Sequence, residues 1–212
     1  MAEAVGSIVR SRTCGLRDFY LAKVTENTEA NYTTGTPVKM ARAIKAKISR
    51  KKNSEKVYSD DSVEDIVTSY ESTDVELEVN ALAPQDRALL YGEMYDQGFL
   101  VKGQDDLATE VALGYRVKRL SGKYDFVWLY CGKFAEGDEE EVETQAEKPA
   151  PKTATIKGSF YARKKPVTVN GKIIYPSEIS VDEENLIETY AEAKTAIGAW
   201  FTKVQEYPTV AG

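Results

Sequence analysis

Val111-Ala112-Leu113-Gly114-Tyr115-Arg116-Val117-Lys118, a Ser121-Gly122 turn, and Lys123-Tyr124-Asp125-Phe126-Val127-Trp128-Leu129-Tyr130-Cys131-Gly132-Lys133-Phe134 decide the fold class. In the first segment Val111, Leu113, Tyr115 and Val117 alternate with smaller or polar residues, the two-residue period of a strand. In the second, Tyr124, Phe126, Trp128 and Tyr130 share one face, while Val127, Leu129 and Cys131 make the opposite face apolar too. A strand apolar on both faces is expected to be central and covered on both sides.

Strand signals recur outward from this pair. Ile44, Ala46 and Ile48 alternate with Lys45 and Lys47, and Val75, Leu77 and Val79 with Glu76 and Glu78. Lys152 to Ala162 reads as a further strand. Asn170-Gly171 between β-branched runs predicts a hairpin, because a type I′ turn needs positive φ at both central residues. Ala199 to Val204 reads as a last strand, closed by Pro208. A short helix is expected from Pro84, with Asp86 in its first turn and a stop at Gly92. A second is expected from Asp182 as N-cap through Glu183, Glu184, Leu186, Ile187, Tyr190 and Ala193, ending before Gly198. Many strands and few helices predict a mainly β fold, a sandwich or barrel with one or two flanking helices. Met1–Gly15, Glu26–Pro37 and Glu136–Pro151 read as irregular.

Composition narrows function. The 212 residues suit one medium domain; 42% are hydrophobic, enough for a sizeable core. A net charge of −6 argues against general affinity for nucleic acid. The absence of histidine removes Ser-His-Asp and Cys-His catalysis and the commonest neutral metal ligand. Cys14 and Cys131 stand far apart and are expected to be free thiols, although a disulfide is possible. Met1 to Thr13 has no apolar signal core, and no run is long enough to span a bilayer. The chain is therefore expected to be made in the cytoplasm, where the sequon Asn31-Tyr32-Thr33 has no glycosylation meaning. No phosphate loop, dinucleotide fingerprint or nucleophile elbow occurs. Asp60, Asp61 and Asp65 lack the spacing and glycine of a calcium loop and read as an exposed turn. Thirteen tyrosines suit amphipathic packing surfaces. Neither catalytic residues nor a cofactor or metal site is expected.

Two charge runs stand out. Lys39 to Lys56 holds eight bases, among them Lys45, Lys47, Arg50, Lys51, Lys52 and Lys56, and one acid. Its local charge of +7 leaves −13 for the rest of the chain. Glu136 to Glu147 holds seven acids (Glu136, Asp138, Glu139, Glu140, Glu141, Glu143 and Glu147) and no base. These are either two solvated surfaces or complementary patches that meet between subunits. Nucleic-acid binding by the basic run is a third reading, without the interleaved aromatics of a single-strand platform.

Several segments, read in order, resemble the major tail proteins of siphophages that infect Gram-positive bacteria. They are Gly15-Leu16-Arg17-Asp18-Phe19-Tyr20-Leu21-Ala22-Lys23-Val24 followed by Gly35-Thr36-Pro37; Asn53-Ser54-Glu55-Lys56-Val57-Tyr58-Ser59-Asp60-Asp61; Val111 to Arg116; Tyr124 to Tyr130 with Gly132 to Glu136; and Ala199 to Val204. Pro176 to Ile197 departs, being longer and more helical than that family's tail end. The resemblance implies a β-sandwich subunit, residues 16–207, with an arm at 1–15, a tail at 208–212, and loops 26–37 and 136–151 mobile until assembly. It implies a structural virion protein: six copies form a ring, and rings stack into a non-contractile tail tube made in the host cytoplasm. Partners would be the chain itself and the tape-measure, terminator and tip proteins. DNA would pass through the lumen without specific binding, and no membrane is involved. Glu76 and Glu78 become candidates for an acidic bore that repels DNA, with the basic run turned away. Alternatives are the inner tube of a contractile tail or phage-like bacteriocin and, from a different class, a carbohydrate-binding or adhesin β-sandwich.

Overall fold

The computed structural model describes residues 8–40, 43–59, 62–135 and 153–208. In chain order the elements are β1 Thr13–Asn27, β2 Tyr32–Thr34, β3 Val38–Lys39, β4 Ala43–Ser59, β5 Ser62–Val79, α1 Pro84–Tyr91, β6 Met94–Asp96 and β7 Phe99–Val101. They continue with β8 Val111–Arg119, β9 Tyr124–Ala135, β10 Ala154–Tyr161, β11 Val167–Val169, β12 Lys172–Ile174, β13 Glu178–Asp182, a 3₁₀ turn Glu183–Asn185, and α2 Ala191–Gly198. The chain is mainly β and its strands pair antiparallel. One sheet runs β2-β1-β8-β9-β10-β5-β4.

Strand β9 is the fork of this sheet. It pairs with β8 along one side; on the other it pairs with β13 over Asp125–Leu129 and with β10 over Cys131–Ala135. The sheet curls on itself, so Leu21 of β1, Leu113 of β8, Leu129 of β9 and Leu77 of β5 meet in one inner core, closed by Leu90 and Tyr91 of α1. The outer face of β1, β8 and β9 buries Trp128, Tyr130 and Ala112 beneath Ala196, Ile197, Trp200 and Val204. Burying each such large apolar side chain is worth about 1.5–3 kcal/mol.

Three glycines let the strands close over large rings. Gly114 faces Trp128, Gly132 faces Phe160, and Gly158 faces Phe134, each as a direct cross-strand partner. A Cβ at Gly114 would lie 2.6 Å from the Trp128 ring, and one at Gly158 2.8 Å from the Phe134 ring. At Gly132 it would overlap Phe160 outright.

Both expected faces of β9 are buried, and the Asn170-Gly171 turn forms with φ of 49° and 77°. Helix α1 starts at Pro84 and ends at Gly92 (φ 78°), whose N–H donates to Ala88 O. Elsewhere the structure corrects the sequence reading. Tyr130 and Cys131 together oppose Ala112 in a β-bulge, so Cys131 joins the outer core and not the inner one. A bulge at Ile44 likewise leaves it 55% exposed, while Ala43, Ala46 and Ile48 pack on the core. Ala199–Val204 is not a strand. Trp200 and Phe201 follow α2 in turns and plug the outer core, where ring packing replaces strand pairing.

The long second helix is also absent. Glu178–Asp182 adds to β9 as a strand, and Asp182 caps only the 3₁₀ turn, accepting from Glu184 N–H. Helix α2 spans Ala191–Gly198 alone, and Tyr190 is exposed. Strand pairing begins at Thr13, within the expected arm, and β2 pairs with β1 inside the expected irregular segment Glu26–Pro37.

Candidate assembly interface

The two-residue period and the hairpin register place the charged candidates. β4 and β5 are hairpin partners, so Lys45 lies opposite Glu78 and Lys47 opposite Glu76, while Lys157 of β10 flanks Glu76 from the other side. Lys51 pairs with Asp74 at 2.7 Å. Its hydrogen bond holds the Asp74 carboxyl below the usual range. Lys47, Asp74, Glu76 and Lys157, with Lys133 of β9, line a shallow groove of about 460 Å³ on the outer face, and Lys45 and Glu78 line a smaller hollow beside it.

Lys45 and Lys47 therefore share a face with Glu76 and Glu78, contrary to the expectation that the basic run turns away from them. Five lysines, at 45, 47, 51, 133 and 157, stand against Asp74, Glu76 and Glu78 there. An acidic bore does not follow from the two glutamates alone. Arg50 lies apart from this group, forked onto Glu178 of β13 with N–O distances of 2.8–3.1 Å. That hydrogen bond raises its pKa.

Past Arg50 and Thr73 the β4–β5 hairpin leaves the sheet, because β10 stops pairing at Thr73. Lys51–Ser59 and Ser62–Ser72 pair only with each other and form an arm. Among the described residues no strand covers the outer edge of β4. Lys52 opposes Tyr70, Ser54 opposes Thr68 and Lys56 opposes Ile66, so these six share one side of the arm. The Ser54 and Thr68 hydroxyls meet there at 3.2 Å. Ile66 is 54% exposed and Tyr70 37%. The Tyr70 hydroxyl donates to Phe160 O at 3.2 Å and fixes the arm's root.

A second exposed element, the β6–β7 ribbon, had no place in the sequence reading. Its turn, Gln97-Gly98, has φ of 49° and 89°. Met94 opposes Val101 and Asp96 opposes Phe99. One face of the ribbon therefore carries Met94, Val101 and Phe99, exposed by 68%, 56% and 73%, and Leu107 on the following loop is 80% exposed. Glu93 is buried at its base, 3.5 Å from Arg87 and 3.4 Å from Lys102.

Other functional expectations land as follows. Glu136, Asp138, Glu139, Glu140, Glu141, Glu143 and Glu147 lie outside the described residues, as do Asp60 and Asp61. Asp65 is exposed, its carboxylate accepting the Ile66 N–H at 2.7 Å. Among the described residues no group of three or more Cys, Asp or Glu could hold a metal ion, and no helix is long and apolar enough to cross a membrane. Cys14 is free and exposed; Cys131 is free and buried. Nothing in the sequence marked Arg163, which is buried between the Tyr32 and Tyr130 rings and pairs with Glu206 at 2.7 Å. Arg119, bound to Asp125, Asp182 and Glu184, was equally unmarked.

No protein-family model matches the chain, and no curated protein matches it.

Proposed function

We propose that this chain is a structural subunit that polymerises with copies of itself, and that the polymer is a phage tail tube of stacked six-membered rings. The observation that carries the self-assembly is the β4–β5 arm. A hairpin that leaves its sheet with its outer edges unpaired presents backbone donors and acceptors that a neighbouring strand can satisfy. Head-to-tail contacts of this kind close into rings when their rotation closes. The tail-tube assignment rests on the ordered sequence likeness, with the mainly β fold compatible with it. Its partners would then be further copies, the tape-measure, terminator and tip proteins, and DNA in transit.

The groove on the outer face is lined by charged, serine and small or aliphatic residues with no aromatic ring, which does not favour the carbohydrate-binding alternative. Negative-stain microscopy of the purified protein tests the proposal. Hexagonal rings or hollow filaments are expected; a uniform field of single small particles at every concentration would contradict it.

A further inference from the structure

We infer that the apolar face of the β6–β7 ribbon is the acceptor for the β4–β5 arm of a second copy. This rests on the self-assembly reading above and names its two contact surfaces. The ribbon is a two-stranded element paired with no other strand among the described residues. Such ribbons are marginal in water without something on their apolar face. Here that face is open, with Met94, Phe99 and Val101 unburied; Asp96 shares it, exposed Asp105 and Asp106 follow on the next loop, and the neighbouring cation Lys102 is engaged by Glu93.

The arm offers the complement. One of its sides carries Tyr70 and Ile66 as exposed apolar groups and Lys52 and Lys56 as cations, with no acid among the six residues sharing that side. Lys51 is engaged by Asp74 within the chain, whereas neither Lys52 nor Lys56 has an ion-pair partner among the described residues. Apolar groups accompanied by carboxylates would thus meet apolar groups accompanied by ammonium groups, a pairing that fixes register and orientation. The two patches differ, so each copy gives its arm to one neighbour and receives an arm from another.

Charge reversal tests this by sedimentation velocity over a concentration series, with near-UV circular dichroism confirming that each variant is folded. Lys52→Glu with Lys56→Glu, or Asp96→Lys with Asp105→Lys, should each weaken association at least tenfold. Combining both pairs should restore it to within about threefold of wild type, since the attraction is reinstated with the signs exchanged. Phe99→Ser should weaken association without rescue. If wild-type protein assembles and the reversals leave it unchanged, or the combination is no better than the weaker pair, this docking is wrong while self-assembly stands. If wild-type protein does not associate at any attainable concentration, self-assembly itself falls and takes the docking with it.

Discussion

Replacing Gly114 by Ala should destabilise the subunit by roughly 2–4 kcal/mol, although it adds a single methyl group. The new Cβ would lie 2.6–2.7 Å from Cη2, Cζ2 and Cζ3 of Trp128, where carbon pairs prefer about 3.5–4.0 Å. The ring has little room to yield. It is fully buried, and its indole N–H donates to Trp200 O at 3.0 Å. Overpacking of this kind costs about 1–3 kcal/mol, and tilting the ring far enough to lose its hydrogen bond adds about 1 kcal/mol. In a chain of this size that corresponds to a fall in Tm of roughly 4–16 °C. Urea denaturation should show a lower midpoint with an unchanged slope, because the loss is in the native state. Trp128→Leu removes the three clashing atoms, so in that background Gly114→Ala should cost less than about 0.5 kcal/mol. Unchanged stability of Gly114→Ala in the wild-type background, or an equal loss in both backgrounds, would refute steric closure of glycine over the ring.

Three further outcomes follow from side-chain environments. A thiol-specific chromogenic disulfide reagent should titrate one thiol in the native protein, that of exposed Cys14, and a second only on unfolding, because burial pushes the Cys131 thiol up and shields it; rapid native reaction of both would count against the outer core as described. Asp18 adopts φ 54° and bonds Lys39 and Arg116; burial opposes its ionisation, but these hydrogen bonds outweigh burial and lower its pKa. A carboxyl lowered on folding contributes stability above its unfolded pKa that is lost as pH falls through its folded pKa, so wild type should exceed Asp18→Asn most near neutrality and converge with it once the carboxyl is protonated in both states. Asn tolerates the same backbone, and a pH-independent gap in urea midpoints would contradict the charge assignment. The Trp200 indole N–H is buried without a partner whereas that of Trp128 is bonded, so Trp200→Phe should lower Tm less than Trp128→Phe; the reverse order would overturn this.

What the sequence disclosed follows from how far each signal is local. The double-sided apolarity of Phe126 to Tyr130, the turn at Asn170-Gly171 and the Pro84 and Gly92 limits of α1 are properties of a few adjacent residues, and each has its counterpart in the fold. Bulges are not local in that sense. Only pairing with Ala112 puts Tyr130 and Cys131 on one face, and only pairing with Val79 and Glu78 expels Ile44. Ile179 and Val181 carried a period-two signal for β13, but it spans only five residues, and the acidic residues after Asp182 suit a helix start. Trp200 and Phe201 looked like strand residues because ring packing and strand pairing favour the same side chains.

For the candidate interface, the sequence supplied the cations without their geometry. Register set Lys45 and Lys47 beside Glu76 and Glu78, drew Lys51 to Asp74 and Arg50 to Glu178, and left Lys52 and Lys56 on the arm without an ion-pair partner among the described residues. The β6–β7 ribbon escaped notice because its strands are three residues each, too short for a period to register.

Hydrogen exchange along β4, compared between dilute and concentrated protein, tests most directly whether copies of the chain complete one another. The amides turned away from β5 should exchange rapidly in the dilute subunit and become protected as larger species form. Equal exchange of those amides at every concentration, alongside the steady protection of β8 and β9, would contradict the account.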